Sequence, residues 1–401
     1  MQMLYRNIYV DGVLSDITVD SGKIARIEPI GSDYEAQRRE KGDEFFFALP
    51  SLVNMHTHSA MTLLRSAGSG LPLFRWLNEA IFPREAQLTS DDIYRGALDA
   101  CEEMRQTGTT AFNDMYFSIE STLRAAKETN LQANIALSVT DRDCEDKQLI
   151  AKFLDSIHHR FEESGCTFSI APHSIYTVSA RNLQMLADFA KEHQTLFHIH
   201  LSETQKERED CLRENGVPPV VYLDRLGIFD KVGSKFIGAH SLWLDPTEIE
   251  ILGSHHVTAV HCPNSNLKLG SGYRFLYTEL RDAGVNVTLG TDGCASSDNL
   301  DMVEAMKVMS LLQKGVRNDP SVLPAEEALK VASNNGRKAL GLPDNSIVEG
   351  NVADFFLIST NNRVFKNIEY INSTPTQIHQ EFLNRLIYAT DGNAVSQVIK
   401  Q

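Results

Sequence analysis

Short apolar runs separated by amphipathic stretches fill the middle of the chain. The runs are Leu49 to Asn54, Thr109 to Asp114, Gln132 to Val139, Cys166 to Pro172, Leu196 to His200, Phe236 to His240, Val257 to His261 and Val285 to Asp292, all of strand length. Helical spacing occupies the gaps: Ser90 to Thr107 puts Ile93, Ala97, Ala100, Cys101 and Met104 on one face and stops at Gly108. Glu120 to Glu128, Ser179 to Glu192, Pro219 to Leu226 and Ser271 to Ala283 also read as helical. Repeated strand and crossover units predict an α/β fold, a closed TIM-like (β/α)8 barrel rather than an open doubly wound sheet. The lack of a Gly-rich dinucleotide or Walker fingerprint points the same way.

The two ends carry a different pattern. Tyr5 to Val10, Val13 to Val19 and Lys23 to Ile30 flank the turns Asp11-Gly12 and Ser21-Gly22, which predicts antiparallel strands, and Phe45 to Leu49 extends them. In the tail, Ser346 to Gly350 reads as a strand and turn, Val352 to Leu357 as an apolar strand, and Tyr388 to Gln397 as a strand about Asp391-Gly392. Neither end is large enough for a sheet domain alone, so the two are expected to join in one small β-sandwich domain. The expected boundaries are 1–50 and 346–401 for its halves and 51–345 for the barrel.

The 401 residues accommodate a barrel of roughly 250 with a smaller domain beside it. A net charge of -15 leaves no basic excess to exchange for counterions, which argues against nucleic acid as the main partner. No run reaches the roughly 18 apolar residues of a membrane span, and the start has no signal-like segment. A cytoplasmic protein without a membrane partner is expected. Cysteines 101, 144, 166, 211, 262 and 294 are dispersed without a Cys-x-x-Cys, which suits reduced packing thiols, including Cys294 near Asp292.

The chemistry gathers at the ends of the runs: His56 and His58 after the first, His200 at the fifth, His240 at the sixth, Asp292 at the eighth. In a parallel barrel those ends share one face, so residues distant in sequence can assemble a catalytic metal site. His56 and His58 leave the same face of a strand, and His198 and His200 repeat the spacing. His200 lies nearer the mouth and is taken as the ligand, with His198 packed behind it. Asp292, bounded by Gly290 and Gly293, can bind a cation while taking a proton from water; alone it reads as well as a turn aspartate. Glu203, just past His200, is the acid/base candidate, set against a solvated carboxylate at a helix start. His240 either orients the water, ligates as a fourth imidazole, or is a hydrogen-bonded barrel residue. The fourth run, Cys166 to Pro172, has no lysine to bridge two cations, so one divalent ion is expected. Zn²⁺ suits the donors and supplies Lewis acidity; Fe²⁺ accepts the same donors.

These residues lie in a longer series of motifs: His56-Thr-His58 with Met61 to Arg65, Leu71 to Leu77, Gly108 to Tyr116, His200-Leu-Ser-Glu203, Ala239-His240, His261-Cys-Pro-Asn-Ser-Asn266 with Lys268, and Gly290-Thr-Asp-Gly293 followed by Asn299-Leu-Asp301. Over essentially its whole length the chain resembles the amidohydrolase superfamily of metal-dependent hydrolases. It resembles in particular the branch containing S-adenosylhomocysteine/5'-methylthioadenosine deaminases and triazine hydrolases. The resemblance implies one metal held by His56, His58, His200 and Asp292, with Glu203 and His240 beside the reactive water. It also implies hydrolytic deamination of an aminated heteroaromatic ring: activated water attacks the carbon bearing the exocyclic amine, Asp292 and His240 position or deprotonate it, and Glu203 protonates the neighbouring ring nitrogen. A homo-oligomer is a further implication.

For the substrate, the resemblance places Glu85 at ribose hydroxyls and His173 near the nucleoside. Arg142 is either a polar clamp or a surface ion pair, and Trp76 either lines the entrance or packs its loop. Three departures from the family pattern fall in candidate substrate loops: Ser66 to Gly70 where a Gly and acidic pair often follows the arginine, Phe82 where Trp is frequent, and Ser297-Asp298 in place of an Asn-rich pair. They leave deamination of another purine, pterin or pyrimidine, or triazine dechlorination, as the alternative to an adenosine derivative. A noncatalytic binding barrel is the reading from outside the enzymes.

Overall fold

The computed structural model describes residues 2–144, 165–366 and 374–400, together with Phe161 and Ile368. Four strands open the chain: β1 (Met3–Val10), β2 (Val13–Asp20), β3 (Lys23–Pro29) and β4 (Phe46–Pro50). Eight follow as β5 (Leu52–Thr57), β6 (Thr109–Tyr116), β7 (Gln132–Val139), β8 (Thr167–Pro172), β9 (Phe197–Leu201), β10 (Phe236–His240), β11 (Thr258–His261) and β12 (Asn286–Leu289). They form one parallel sheet in sequence order. Every residue of β5, β6, β9, β10 and β11 is buried, as expected for strands covered on both sides.

Closure between the first and last barrel strands runs through the turn after β12. The Asp292 N–H donates to the His56 carbonyl at 2.9 Å. The Asn54 amide donates to Thr291 Oγ1 at 2.7 Å and accepts the Thr291 N–H at 3.1 Å. The outer helices follow the apolar stripes. Ser90–Gln106 starts at a Thr89/Asp92 capping box, buries Ile93, Ala97, Ala100, Cys101 and Met104, and ends before Gly108 at φ 88°. The stretch expected as helix from Ser271 is shorter, Tyr277–Asp282, because glycines 270 and 272 break it.

A second, six-stranded sheet draws on both termini, with β13 (Asp354–Ser359) and β14 (Gln397–Lys400) in the order β14-β13-β4-β1-β2-β3. Ile8, Val10, Ile17, Val19, Ile24, Phe355, Leu357 and Ile399 form a shared apolar cluster. Three local expectations change. β4 runs parallel to β1 because the polar helix Ser32–Glu40 crosses between them. Ser346 to Gly350 keeps the expected turn, at 349–350, but has no strand before it, and Tyr388 lies at the end of a helix, Pro375–Ala389, that starts at a Thr374-Pro375 cap. That helix buries Phe382 against Phe47 at 4.0 Å, an amphipathic pattern obscured in sequence by its polar first turns.

All six cysteines are buried thiols. No helix among the described residues is long and apolar enough to cross a membrane. The barrel and the second sheet share a buried ion pair, Arg337 to Asp354 at 2.7 Å, with Thr110 Oγ1 donating to the same carboxylate at 2.8 Å. Arg337→Met leaves that carboxylate without its cation, and urea unfolding should show a loss of about 3–5 kcal/mol. An unchanged urea midpoint would refute the role given to this pair.

Candidate active site

Because the barrel strands are parallel, their C-terminal ends open on one face. β5 carries His56 and leads to His58, β9 carries His200, β10 ends on His240, and Asp292 lies in the turn after β12. The His56 ring centre lies 4.9 Å from that of His58, 5.0 Å from His200 and 5.4 Å from His240. Asp292 Oδ1 lies 3.2 Å from His58 Nε2 and 3.7 Å from His56 Nε2. The structure thus brings together all five groups expected at the strand mouths.

The backbone bends sharply to aim them. Ser202, His240, Ser241 and Asp292 have φ of 48°, 70°, 48° and 66°. This left-handed region costs a non-glycine residue on the order of 1–3 kcal/mol and concentrates at functional sites. The glycines beside Asp292 allow close approach: a Cβ at Gly290 would lie 2.8 Å from His56 N, and one at Gly293 2.8 Å from Met61 Sδ.

Hydrogen bonding decides what the imidazoles present. His58 Nδ1 lies 2.7 Å from the Met115 carbonyl, and His200 Nδ1 lies 2.7 Å from the His173 carbonyl. A carbonyl only accepts, so each Nδ1 carries a proton and each Nε2 is left free to take a second proton or a cation. The two Nε2 atoms face each other at 3.4 Å. Opposed lone pairs call for a positive charge between them. His56 Nε2 is buried nearby with no hydrogen-bond partner, while its Nδ1 pairs with His198 Nε2 at 3.0 Å. Burial and neighbouring rings hold His56 and His200 well below the ordinary imidazole range. Burial works against ionised Asp292, yet the His58 hydrogen bond and imidazole charges hold its carboxyl well below the usual range. For His58, burial is outweighed by Asp292, which drives it up to about 9. Imidazole nitrogens turned inward beside an ionised carboxylate fit a divalent cation of the zinc type, which would take the place of the proton that Asp292 favours on His58. Two overlapping sets have ligand atoms within 4.8 Å of one another: His56, His58 and His200, and His56, His240 and Asp292. His240 therefore stands within reach of an ion held there.

Glu203 is buried at 3% exposure, so the solvated helix-start reading fails. Its Oε1 accepts from Ser271 Oγ at 3.0 Å, and its Oε2 lies 3.8 Å from His240 Nε2. Burial raises its carboxyl above the ordinary range against the opposing pull of His240. Glu207, buried and pushed up to about 8 by burial, accepts the N–H groups of Ser202 at 2.9 Å and Glu203 at 2.8 Å. The Thr204-x-x-Glu207 spacing of a capping box signals this residue, although its carboxylate reaches past the cap.

Glu203, His58, His200, His240 and Asp292 line a cavity of about 510 Å³ shared with Glu85, His173, Arg142 and Trp76. Burial raises the Glu85 carboxyl, whose Oε1 accepts from Tyr116 at 2.8 Å. His173 is depressed to about 4 by burial. Trp76 does both things weighed for it: its indole N–H donates to the Ala67 carbonyl at 2.8 Å while the side chain lines the cavity. Of the three departures, Phe82 lines the cavity and the other two meet each other, Ser66 Oγ donating to Asp298 Oδ1 at 2.8 Å. Cys294 packs away from the cavity. Tyr116, Ser265 and Ser271 act through single hydrogen bonds that no sequence spacing announces.

Removal of one imidazole opens the donor set. His200→Ala should lower zinc per chain after dialysis by at least about tenfold, measured by atomic emission, since even outer partners of such ligands are worth 10–100-fold. Unchanged zinc would remove His200 from the set.

Comparison with known proteins places the chain. The Amidohydrolase family model matches residues 47–401. The chain is 41% identical over 397 residues to a 5'-deoxyadenosine deaminase of Methanoregula boonei, covering 96% of this chain and 85% of that one. It is 37% identical over 390 residues to the 5-methylthioadenosine/S-adenosylhomocysteine deaminase 1 of Archaeoglobus fulgidus, covering 96% and 88%. Among solved structures, an adenosine deaminase from Xanthomonas campestris with bound zinc superposes with a TM-score of 0.84 at 30% identity, covering 96% of this chain and 87% of that one. The extent of these matches and the converged histidine-aspartate cluster lead to one conclusion: the chain belongs to the amidohydrolase family.

Proposed function

We propose that this protein is a metal-dependent hydrolytic deaminase of adenosine derivatives altered at the 5' position, S-adenosylhomocysteine, 5'-methylthioadenosine or 5'-deoxyadenosine. The observation that carries this reading is the pairing of Glu203 with a histidine-aspartate cluster in one cavity. A buried carboxyl with a raised pKa faces four imidazoles and an ionised carboxylate. The relatives named for these nucleosides support the substrate class.

His56, His58, His200 and Asp292 would hold one divalent ion, Zn²⁺ in preference to Fe²⁺. That ion supplies Lewis acidity and a stronger nucleophile at neutral pH. The chain's own residues handle the protons. His240 Nε2 and Asp292 accept them from the attacking water, and Glu203 donates one to the ring nitrogen beside the reacting carbon. One water enters, the exocyclic C–N bond breaks, a carbonyl forms, and ammonia leaves. At the far wall Glu85, held by Tyr116, accepts from the ribose hydroxyls. His173 flanks the nucleoside, Trp76 closes one side, and Arg142 clamps polar atoms of the 5' substituent.

Ammonia release from the three nucleosides, adenosine, guanine, a pterin, cytosine and an aminotriazine tests the substrate. The 5'-altered adenosines should exceed the free heterocycles in kcat/KM by at least about tenfold, the scale of one lost polar contact. Turnover of a free heterocycle alone, or chloride release from a chlorotriazine, would overturn the assignment. Glu203→Gln should reduce kcat about 10²–10⁴-fold with zinc content unchanged.

The pH profile provides a separate check. A proton donor must be protonated, and burial raises Glu203 from its ordinary value. The active form therefore persists to higher pH than for an exposed glutamate, and kcat/KM falls as pH rises through that raised value. This falling limb should be absent in Glu203→Gln. Its persistence would assign the limb to another group.

A further inference from the structure

The His261 to Asn266 motif remains without a task in the reaction, and its loop occupies a singular position. β11 lies between β10, which ends on His240, and β12, which leads to Asp292. The loop leaving β11 can therefore reach both neighbours. It turns at Pro263 into a short helix, Pro263–Lys268, and returns to Ser271, whose N–H donates to the Asn266 carbonyl at 2.9 Å. Ser265, Asn266 and Ser271 are all buried, and each places one hydrogen bond on a different group of the site.

Ser265 Oγ donates to Asp292 Oδ2 at 2.6 Å, while the Gly293 N–H donates to Oδ1 at 2.7 Å. A carboxylate turns readily about its terminal bond. With Oδ2 taken by the serine, Oδ1 is the oxygen left facing His58 and His56. Asn266 Oδ1 lies 2.8 Å from His240 Nδ1. An amide oxygen accepts, so Nδ1 carries the proton and Nε2 keeps its lone pair on the side of Glu203. The other amide atom, Asn266 Nδ2, is buried without a partner. A leucine of nearly the same shape would avoid that cost, which gives the amide oxygen a purpose beyond filling space. Ser271 Oγ donates to Glu203 Oε1, leaving Oε2, the oxygen nearer His240, to carry the acid proton.

We propose that Ser265, Asn266 and Ser271 form a brace of positioning residues on the β11 loop. Ser265 sets the rotation of Asp292, Asn266 the tautomer of His240, and Ser271 the oxygen of Glu203 that holds the transferable proton. The proposal rests on the deaminase reading for its kinetic consequences and on the cavity geometry alone for its metal consequence.

The variants to compare with the zinc-loaded protein are Ser265→Ala, Asn266→Leu, Asn266→Asp and Ser271→Ala. Zinc loss to a chromogenic chelator is measured beside kcat and KM for the best nucleoside. Ser265→Ala should lose zinc at least about tenfold faster, as outer partners of metal ligands do. Asn266→Leu and Ser271→Ala should keep zinc within about threefold while kcat falls about 100-fold and about tenfold with KM little changed, since orientation acts on the reacting state. Asn266→Asp, which can only accept, should stay within about tenfold of the parent kcat, because it preserves the tautomer. Wild-type turnover by Asn266→Leu, or normal zinc retention by Ser265→Ala, would overturn the brace. Zinc, kcat and KM changing together in every variant would also overturn it, by reducing the loop to general structural support. If the parent protein releases no ammonia from any nucleoside, the deaminase reading fails, and zinc retention in Ser265→Ala still decides the Asp292 part.

Discussion

The opposed Nε2 atoms of His58 and His200, 3.4 Å apart, are the constraint around which the molecule is arranged. Each ring is turned inward because its Nδ1–H is committed to a backbone carbonyl at a strand mouth, Met115 for one and His173 for the other. That arrangement is unfavourable without positive charge between the rings, and the protein supplies the conditions for one through buried, ionised Asp292. Even the barrel seam serves it: the Asp292 N–H closes on the His56 carbonyl, so the hydrogen bond that joins the first and last strands also places the carboxylate.

A price in backbone conformation accompanies this geometry. Ser202, His240, Ser241 and Asp292 all sit at positive φ on three different strand ends. Regular strands would have carried these side chains onward along the barrel axis; a left-handed residue at each mouth swings them toward the centre. The strain is sustained by surroundings that are buried throughout, and by close contacts that only Gly290 and Gly293 permit.

Much of this was legible in the amino-acid order, because burial on both faces leaves parallel strands as short apolar runs and the site residues lie where those runs stop. His56, His58, His200, His240 and Asp292 could be found without knowing which strand neighboured which. The tail was harder to read. Its helix Pro375–Ala389 begins with polar turns and buries residues only in its second half, while Tyr388 and the Asp391-Gly392 turn mimic a strand boundary. Glu203 was legible as a carboxylate beyond a histidine, but its burial was not, since the residue that closes over it, Ser271, comes from a loop 68 residues away. Single hydrogen bonds between loops leave no periodic trace. The same holds for Ser66 and Asp298, which read as two separate departures and are one contact.

Two carboxylates in one cavity are driven apart in opposite directions, and this separation makes acid and base chemistry compatible there. Glu203 and Asp292 are both buried, so burial alone would raise both. Asp292 escapes because it faces His58 at hydrogen-bonding distance with His56 and His240 near, whereas Glu203 faces His240 at 3.8 Å and a serine hydroxyl. The difference lies in the number and closeness of the imidazole neighbours, not in residue type. In the proposed reaction this favours the ionised form of Asp292, the cation ligand and proton acceptor, and shifts Glu203 toward the protonated form that a donor needs. His240, between them, is the group through which the two halves of a deamination can communicate, and for that its tautomer has to be held from outside the pair.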